Sequence, residues 1–286
     1  MTWMLGQQIW NGLLTGVAYS VFAIGLTLVF GMMRVINFAH GEIFMLGAMI
    51  LYTLTAMGVH FLLALLITAI AVGVFGLLFD RVAIRPLLLA HPLTVLVSTM
   101  AVSVILMNGA MMIWNVDTRV IETPFGDGGV EVAGVVFSHT AIALTAIGVG
   151  VLAAFYLFAT KSTLGRMMRA TAQDRIGASL IGINVKRMYS LTVALSAGLA
   201  AVAGGIIGPI WVASPAMGQD ILLKGFAIVI VGGMGNVLGC VIAGIGLGIT
   251  EALFGQYASM YYRDVYAFGL LILVCLLRPQ GLFARR

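Results

Sequence analysis

Long apolar runs dominate the sequence and limit what it can fold into. A bilayer core has no water to satisfy backbone polar groups, so only helices and closed β-barrels cross it. The runs here are much longer than the ten-residue alternating segments of a barrel. They are close to the 20 residues that a membrane-spanning helix needs, and they cover residues 9–31, 36–57, 59–79, 93–114, 138–160 and 189–211. The pattern predicts an all-α polytopic membrane protein.

The composition excludes other classes of protein. Of the 286 residues, 62% are hydrophobic and 9% are charged, whereas soluble domains have about 25% charged residues. We therefore set aside a soluble enzyme, a nucleic-acid-binding protein and a disordered chain. Eight spans would use about 160 residues and leave only short loops. We predict a single transmembrane domain over residues 1–286.

The distribution of basic residues predicts the orientation, because cytoplasmic loops carry the excess of Lys and Arg. The loop at about 161–187 has one acid, Asp174, and the basic residues Lys161, Arg166, Arg169, Arg175, Lys186 and Arg187. The loop at 115–137 has one base, Arg119, and the acids Asp117, Glu122, Asp127 and Glu131. The first loop is thus predicted inside, with a periplasmic N-terminus and a cytoplasmic C-terminus that carries Arg278, Arg285 and Arg286.

A broken apolar region at 221–254 precedes the last run, 265–277. A single crossing of the broken region would leave the basic C-terminus outside. The orientation is consistent if the region enters the membrane and returns, turning at Gly232, Gly233, Gly235 and Asn236. The first piece has about 13 residues, too few for a full span, so we predict a half-helix or re-entrant element that lines a cavity. This gives about eight membrane elements.

An earlier break contains Asn37, His40, Gly41 and Glu42 between two apolar runs. Two interpretations remain open here. One is a hydrated turn at the cytoplasmic interface. The other is a broken helix whose polar groups face a translocation path, since a carboxylate at membrane depth is unfavourable by about 2.5–3.5 kcal/mol.

Other polar residues interrupt the spans singly. Glu251 and Asn108 lie within apolar runs and are expected to face the bundle interior. A structural hydrogen bond and a substrate contact both remain open for each. Lys224 is expected at the outer interface. We predict no metal site and no catalytic centre. A P-loop needs Gly before its Lys, and no lysine here follows Gly; if ATP is used, a partner must bind it.

The basic loop at 161–187 holds a predicted amphipathic helix over residues 169–180, with Gly182 and Asn184 as stop signals. It has two possible roles. It could lie against anionic lipid headgroups, or it could be a coupling helix that docks on a cytoplasmic motor subunit.

Several segments together are similar to one family. The chain resembles the permeases of branched-chain amino acid ABC importers, specifically the smaller of the two paired permeases. The resemblance runs in order through residues 25–31, 36–42, 85–87, 164–174, 182–184, 232–235 and 278–283.

The resemblance implies an inner-membrane permease, with ATP and Mg bound by partners. These are a related second permease, two cytoplasmic ATPase subunits and a periplasmic substrate-binding protein. It also implies that the A-x-x-x-G pattern from Ala178 to Gly182 docks on the ATPase, and that the docking loop holds Arg169, Asp174, Arg175, Ile183 and Asn184. Residues 170–172 depart from the family pattern, which has an acid before paired alanines. Permeases for urea or short amides, and an ion-gradient-driven transporter using Glu251 or Glu42, are the alternatives.

Overall fold

The computed structural model describes residues 2–88, 90–126, 128–257, 263–278 and 281–283. Some residues used above lie outside the described residues: Asp127 of the acidic loop, and Pro279, Gln280, Arg285 and Arg286 of the C-terminal segment.

Helices form most of the described chain, as the predicted all-α fold class requires. They are α1 Thr2–Met33, α2 His40–Ala56, α3 Phe61–Phe79, α4 Pro92–Trp114, α5 His139–Lys161, α6 Thr163–Gln173, α7 Arg175–Leu180, α8 Val185–Trp211, α9 Met217–Gly232, α10 Val237–Tyr257 and α11 Arg263–Leu277. A π-helical turn (Asp80–Ile84) and a 3-10 turn (Arg85–Leu87) extend α3. Within the described ranges, six helical segments are long and apolar enough to span a membrane, whereas α2 is apolar but shorter.

The helices α1 and α8 form the centre of the bundle. Both are largely buried along their apolar lengths, and α1 packs closely against α10. Glycines permit this approach: a Cβ on Gly12 would lie 2.6 Å from Ile249 Cα, and one on Gly16 would lie 2.7 Å from Ile245 Cα. Small residues at helix interfaces let backbones come close in a membrane, where apolar burial alone does not drive association.

A β-hairpin marks one end of the bundle. Strands β1 (Gly129–Val132) and β2 (Val135–Ser138) pair antiparallel, and the two-residue turn Ala133–Gly134 has φ of +53° and +80°, typical of a type I′ hairpin turn. Gln7 of α1 exchanges hydrogen bonds with Val136. We call this the hairpin end; the opposite end, which carries α6 and α7, is the loop end.

The apolar run at 36–57 does not form one full helix. The helix α2 begins only at His40, whose Nε2 lies 3.2 Å from the carbonyl of Phe22. At a rise of 1.5 Å per residue, Phe22 lies about 16 Å along the helix from Met33, the residue at the loop end of α1. The segment 34–39 therefore returns into the bundle as non-helical chain, and α2 starts inside.

Candidate functional site

The first predicted break is buried within the bundle. Asn37, His40 and Glu42 are 2%, 0% and 1% exposed, so they are not the hydrated groups of an interfacial turn. The Asn37 side chain accepts a hydrogen bond from the Ala39 amide and so shapes the turn into α2. His40 Nδ1 lies 3.5 Å from the Ser196 hydroxyl, which connects the start of α2 to α8.

At this point the N-terminal ends of α2 and α9 meet. A Cβ on Gly41 would lie 2.1 Å from the Gly218 carbonyl, so only glycine permits this approach. Oε1 of the Glu42 carboxylate accepts a 3.4 Å hydrogen bond from the Ser103 hydroxyl. The other oxygen, Oε2, packs against Gly218, where an added Cβ would lie only 2.7 Å from it. Helix N-termini carry partial positive charge, and both of these favour a carboxylate here.

The second predicted break separates α9 from α10. Gly233 and Gly235 have φ of +90° and +89°, a conformation that glycine adopts without steric cost. The Asn236 side chain accepts from the Gly239 amide and donates to the Phe283 carbonyl. The glycine turn thus also holds the C-terminal segment 281–283 against the bundle.

The predicted helix over 169–180 is two helices, because the chain breaks at Asp174. Asp174 is extended (φ −147°, ψ 109°), and its carboxylate accepts a hydrogen bond from the Ile176 amide as the N-cap of α7. Asp and Asn compete with helical hydrogen bonds in this way and favour caps over helix interiors. Arg169, on α6, donates to the Ala159 carbonyl at the end of α5.

The helix α7 carries an exposed apolar surface that the sequence analysis missed. Ile176, Leu180 and Ile181 are 73%, 81% and 75% exposed, while Ala178 is 3% exposed and packs inwards. The i, i+4 spacing of Ile176 and Leu180 was the available signal. We call these three residues the α7 surface.

Arg175 fastens α7 to the core of the bundle. Its guanidinium donates to the carbonyls of Met32 and Met33, at 3.4 and 3.2 Å, and lies 5.7 Å from the centre of the Tyr189 ring. A cation at the C-terminus of α1 is favourable because that end carries partial negative charge.

The last three predicted residues of the loop form the turn into α8. Gly182 has φ +86°, and the Ile183 amide donates to the Ala178 carbonyl at 3.0 Å, the bond of a Schellman helix end. Asn184 then caps α8 by accepting from the Arg187 amide.

A cavity of about 420 Å³ lies between α6 and the glycine turn. Its lining includes Gly31 and Arg34 at the end of α1, Arg169 on α6, and Met234 and Gly235 of the turn. Two of the predicted features, the basic loop and the second break, therefore face one space at the loop end.

Two single-residue expectations are wrong. Asn108 is exposed and donates to the carbonyl of Val104 in its own helix, so it does not face the interior. Lys224 is buried, and its Nζ lies 2.7 Å from Glu251 Oε1. Its side chain does not snorkel to the surface because a buried carboxylate pairs with it.

A family model described as the permease component of the branched-chain amino acid transport system matches residues 8–275. The chain belongs to this permease family. The expected resemblance is confirmed, and with the apolar helices it makes this a multi-pass membrane protein.

Several relatives match this permease over nearly its whole length. It is 36% identical to the high-affinity branched-chain amino acid transport system permease proteins BraD of Pseudomonas aeruginosa and LivH of Escherichia coli, over 98% of this chain and 95% of each relative. It is 26% identical to a probable LivH of Methanocaldococcus jannaschii, over 92% of this chain and 87% of that one.

The permease also shares its fold with a solved structure. A chain of PsaBC from Streptococcus pneumoniae in complex with Fab aligns with a TM-score of 0.50 at 12% identity, covering 97% of this chain and 92% of that one.

Proposed function

We propose that this chain is the permease subunit of an ATP-driven importer for branched-chain or related hydrophobic amino acids. It would form the translocation path in the inner membrane with a second, related permease. Two cytoplasmic ATPases would bind ATP and Mg, and a periplasmic protein would deliver the substrate. The relatives named for branched-chain amino acid transport support this over urea, short amides or an ion-gradient mechanism.

The α7 surface is the observation that carries the coupling role. Two large apolar side chains on a six-residue helix, and a third on its C-cap residue Ile181, project beyond the loop end of α1. Burying each against a partner protein would stabilise a complex by roughly 1.5–3 kcal/mol. Arg175 would pass a displacement of α7 directly to α1, since it bonds the last turn of that helix.

The shorter helices support a membrane topology with half-helices. The helix α9 has 16 residues, or about 24 Å at 1.5 Å per residue, which is shorter than the 30 Å hydrocarbon core. With α2 beginning inside the bundle, paired interrupted helices would flank a path, as they do in other transporters. The hairpin end would be periplasmic and the loop end cytoplasmic.

The mechanism follows from these connections. Closure of the ATPases would move α6 and α7 relative to α1. The 420 Å³ cavity leaves room for α6 to approach the glycine turn. Rotation at Gly233 and Gly235 would then shift α9, whose N-terminal end contacts Gly41 and Glu42, and so change access at the other end.

Co-purification with the partner subunits tests the role of the α7 surface. The variant Leu180→Ser with Ile176→Ser should lose the ATPases but keep the second permease. The control Leu164→Ser changes another exposed apolar residue of the same loop, on α6, and should keep both.

The wild-type chain with its partners in proteoliposomes should import leucine only with ATP. Import without ATP would contradict the proposed function.

A further inference from the structure

Two aromatic side chains pack around one buried ion pair, and the four residues belong to four helices. Lys224 Nζ of α9 lies 2.7 Å from Glu251 Oε1 of α10, and these side chains are 7% and 0% exposed. The Tyr19 hydroxyl of α1 donates to Glu251 Oε2 at 2.7 Å. Lys224 Nζ lies 5.5 Å from the ring centre of Trp211, at the end of α8, and 5.9 Å from that of Tyr19.

Stability is a weak explanation for this pair. Removing two ions from water carries a penalty of several kcal/mol for each, and apolar replacements of a buried pair are often neutral or stabilising. The neighbouring helix contacts already use glycines and apolar residues. Ionisable residues within membrane helices are rare, and substrate and ion pathways are among the functions that they mark.

Glu251 of this pair lines a cavity that opens towards the hairpin end, and Lys224 lies behind it, 2.7 Å from Glu251 Oε1. The cavity has a volume of about 570 Å³, within the range of small-molecule sites. The cavity lies between the ends of α1, α5, α8 and α10. Among the lining residues that the structure describes, Glu251 alone is ionisable. Trp211 adds an aromatic face, and the polar lining residues are Gln8, Asn11, Thr15, Ser138, Thr140 and Gln256.

We infer that this cavity is a transient substrate site, in which the α-ammonium group of an amino acid contacts Glu251 and its α-carboxylate contacts Lys224. A zwitterion carries both charges on one carbon atom, so it can insert into an ion pair and leave every charge with a partner. A simple cation or anion would leave one member of the pair unpartnered in a low-dielectric site. The substrate's apolar side chain would pack on Trp211.

This inference rests on the proposed function, and a charge exchange tests it. The double variant Lys224→Glu with Glu251→Lys keeps an ion pair but puts a cation in the cavity lining. We expect leucine uptake to fall at least tenfold in the reconstituted complex, with ATP hydrolysis stimulated by the binding protein retained. Glu251→Gln should lower uptake similarly, and the control Asp117→Asn, an exposed acid at the same end, should not.

The outcomes separate the two claims. Wild-type uptake in the double variant would mean that the pair is only structural and would overturn the inference, while the proposed function stands. A wild-type complex that imports nothing would instead contradict the proposed function.

A second measurement serves if the double variant does not assemble. Asn11→Cys places a thiol in the cavity lining, and the wild-type chain gives the background labelling. In the assembled complex, a membrane-impermeant maleimide should label this thiol, and leucine should slow the labelling in the presence of Glu251 but not in the Glu251→Gln variant. Equal labelling with and without leucine would overturn the inference.

Discussion

Single glycines control how closely the key helices approach and turn. At Gly41 the requirement is space, because the Gly218 carbonyl occupies the position that a side chain would fill. At Gly182 the requirement is conformation, because nothing lies within 4 Å but φ is +86°. The two residues therefore predict different kinds of failure.

Gly182→Ala should uncouple transport from ATP hydrolysis. The left-handed conformation is unfavourable by about 1–2 kcal/mol for a residue with a Cβ, so the turn between α7 and α8 would relax and displace the α7 surface. We expect normal membrane insertion, retained ATP hydrolysis and a several-fold loss of leucine uptake in proteoliposomes. Gly150→Ala, in open space on α5, is the matched control. Unchanged uptake in Gly182→Ala would exclude a role for this turn in coupling.

Gly41→Ala should destabilise the whole bundle. The added methyl group overlaps the α9 backbone, and overpacking typically lowers the free energy of unfolding by about 1–3 kcal/mol. A lower midpoint in thermal unfolding of the detergent-solubilised chain would show this. Gly109→Ala, on α4 with nothing within 4 Å, should not lower the midpoint, since alanine is the better helix former. Equal midpoints for the two variants would mean that α2 and α9 do not pack this closely.

At the scale of elements, short helices joined by polar caps connect the loop end to the core. Ser162 and Asp174 cap α6 and α7, and Asn184 caps α8. Each cap fixes the point where one helix ends and the next begins, so α7 is held as a separate unit. Its attachment to α1 is through Arg175.

Arg175→Ala should release α7 from α1 while leaving α7 itself folded. A hydrogen bond from a charged group contributes about 1.5–3 kcal/mol to the free energy of unfolding, and this contribution would be lost. ATP hydrolysis by the co-purified complex should persist, and the number of leucine molecules imported per ATP should fall. The control is Arg166→Ala, whose side chain donates only to Thr163 in the described structure. A normal import ratio in Arg175→Ala would contradict this route of coupling.

At the scale of the whole molecule, the two ends of the bundle differ in chemistry. The hairpin end carries the acidic loop and the 570 Å³ cavity above Glu251. The loop end carries the basic residues, the α7 surface and the 420 Å³ cavity. Between them α3, α4 and α5 expose apolar side chains to lipid or to a partner.

This asymmetry predicts the orientation, and cysteine labelling measures it. In intact cells, after the outer membrane is made permeable, Glu131→Cys in the hairpin should react with a membrane-impermeant maleimide. Leu180→Cys on α7 should react only after the inner membrane is opened. The wild-type chain, with its native Cys240 and Cys275, gives the background. The reverse pattern would place the loop end in the periplasm.

The sequence alone determined the class of protein, the family and most helix positions. Apolar run length is a local property that the bilayer thickness imposes, and the ordered motifs lie within one chain. It also located both breaks, since glycine and polar residues interrupt an apolar pattern directly. The hairpin at 129–138 and the break at Asp174 were not predicted. Their sequence signals, a glycine in a turn and an aspartate that caps a helix, also occur in ordinary loops.

Which polar residues meet depends on the packing of separate helices and could not be read from the sequence. Lys224 and Glu251 are far apart in sequence, and nothing local distinguishes a lysine that reaches water from one that reaches a buried carboxylate. The same holds for the approach of Gly41 to Gly218, which requires the start of α2 to lie inside the bundle. Local composition sets whether a segment enters the membrane, whereas the partners of its polar groups depend on how separate helices pack.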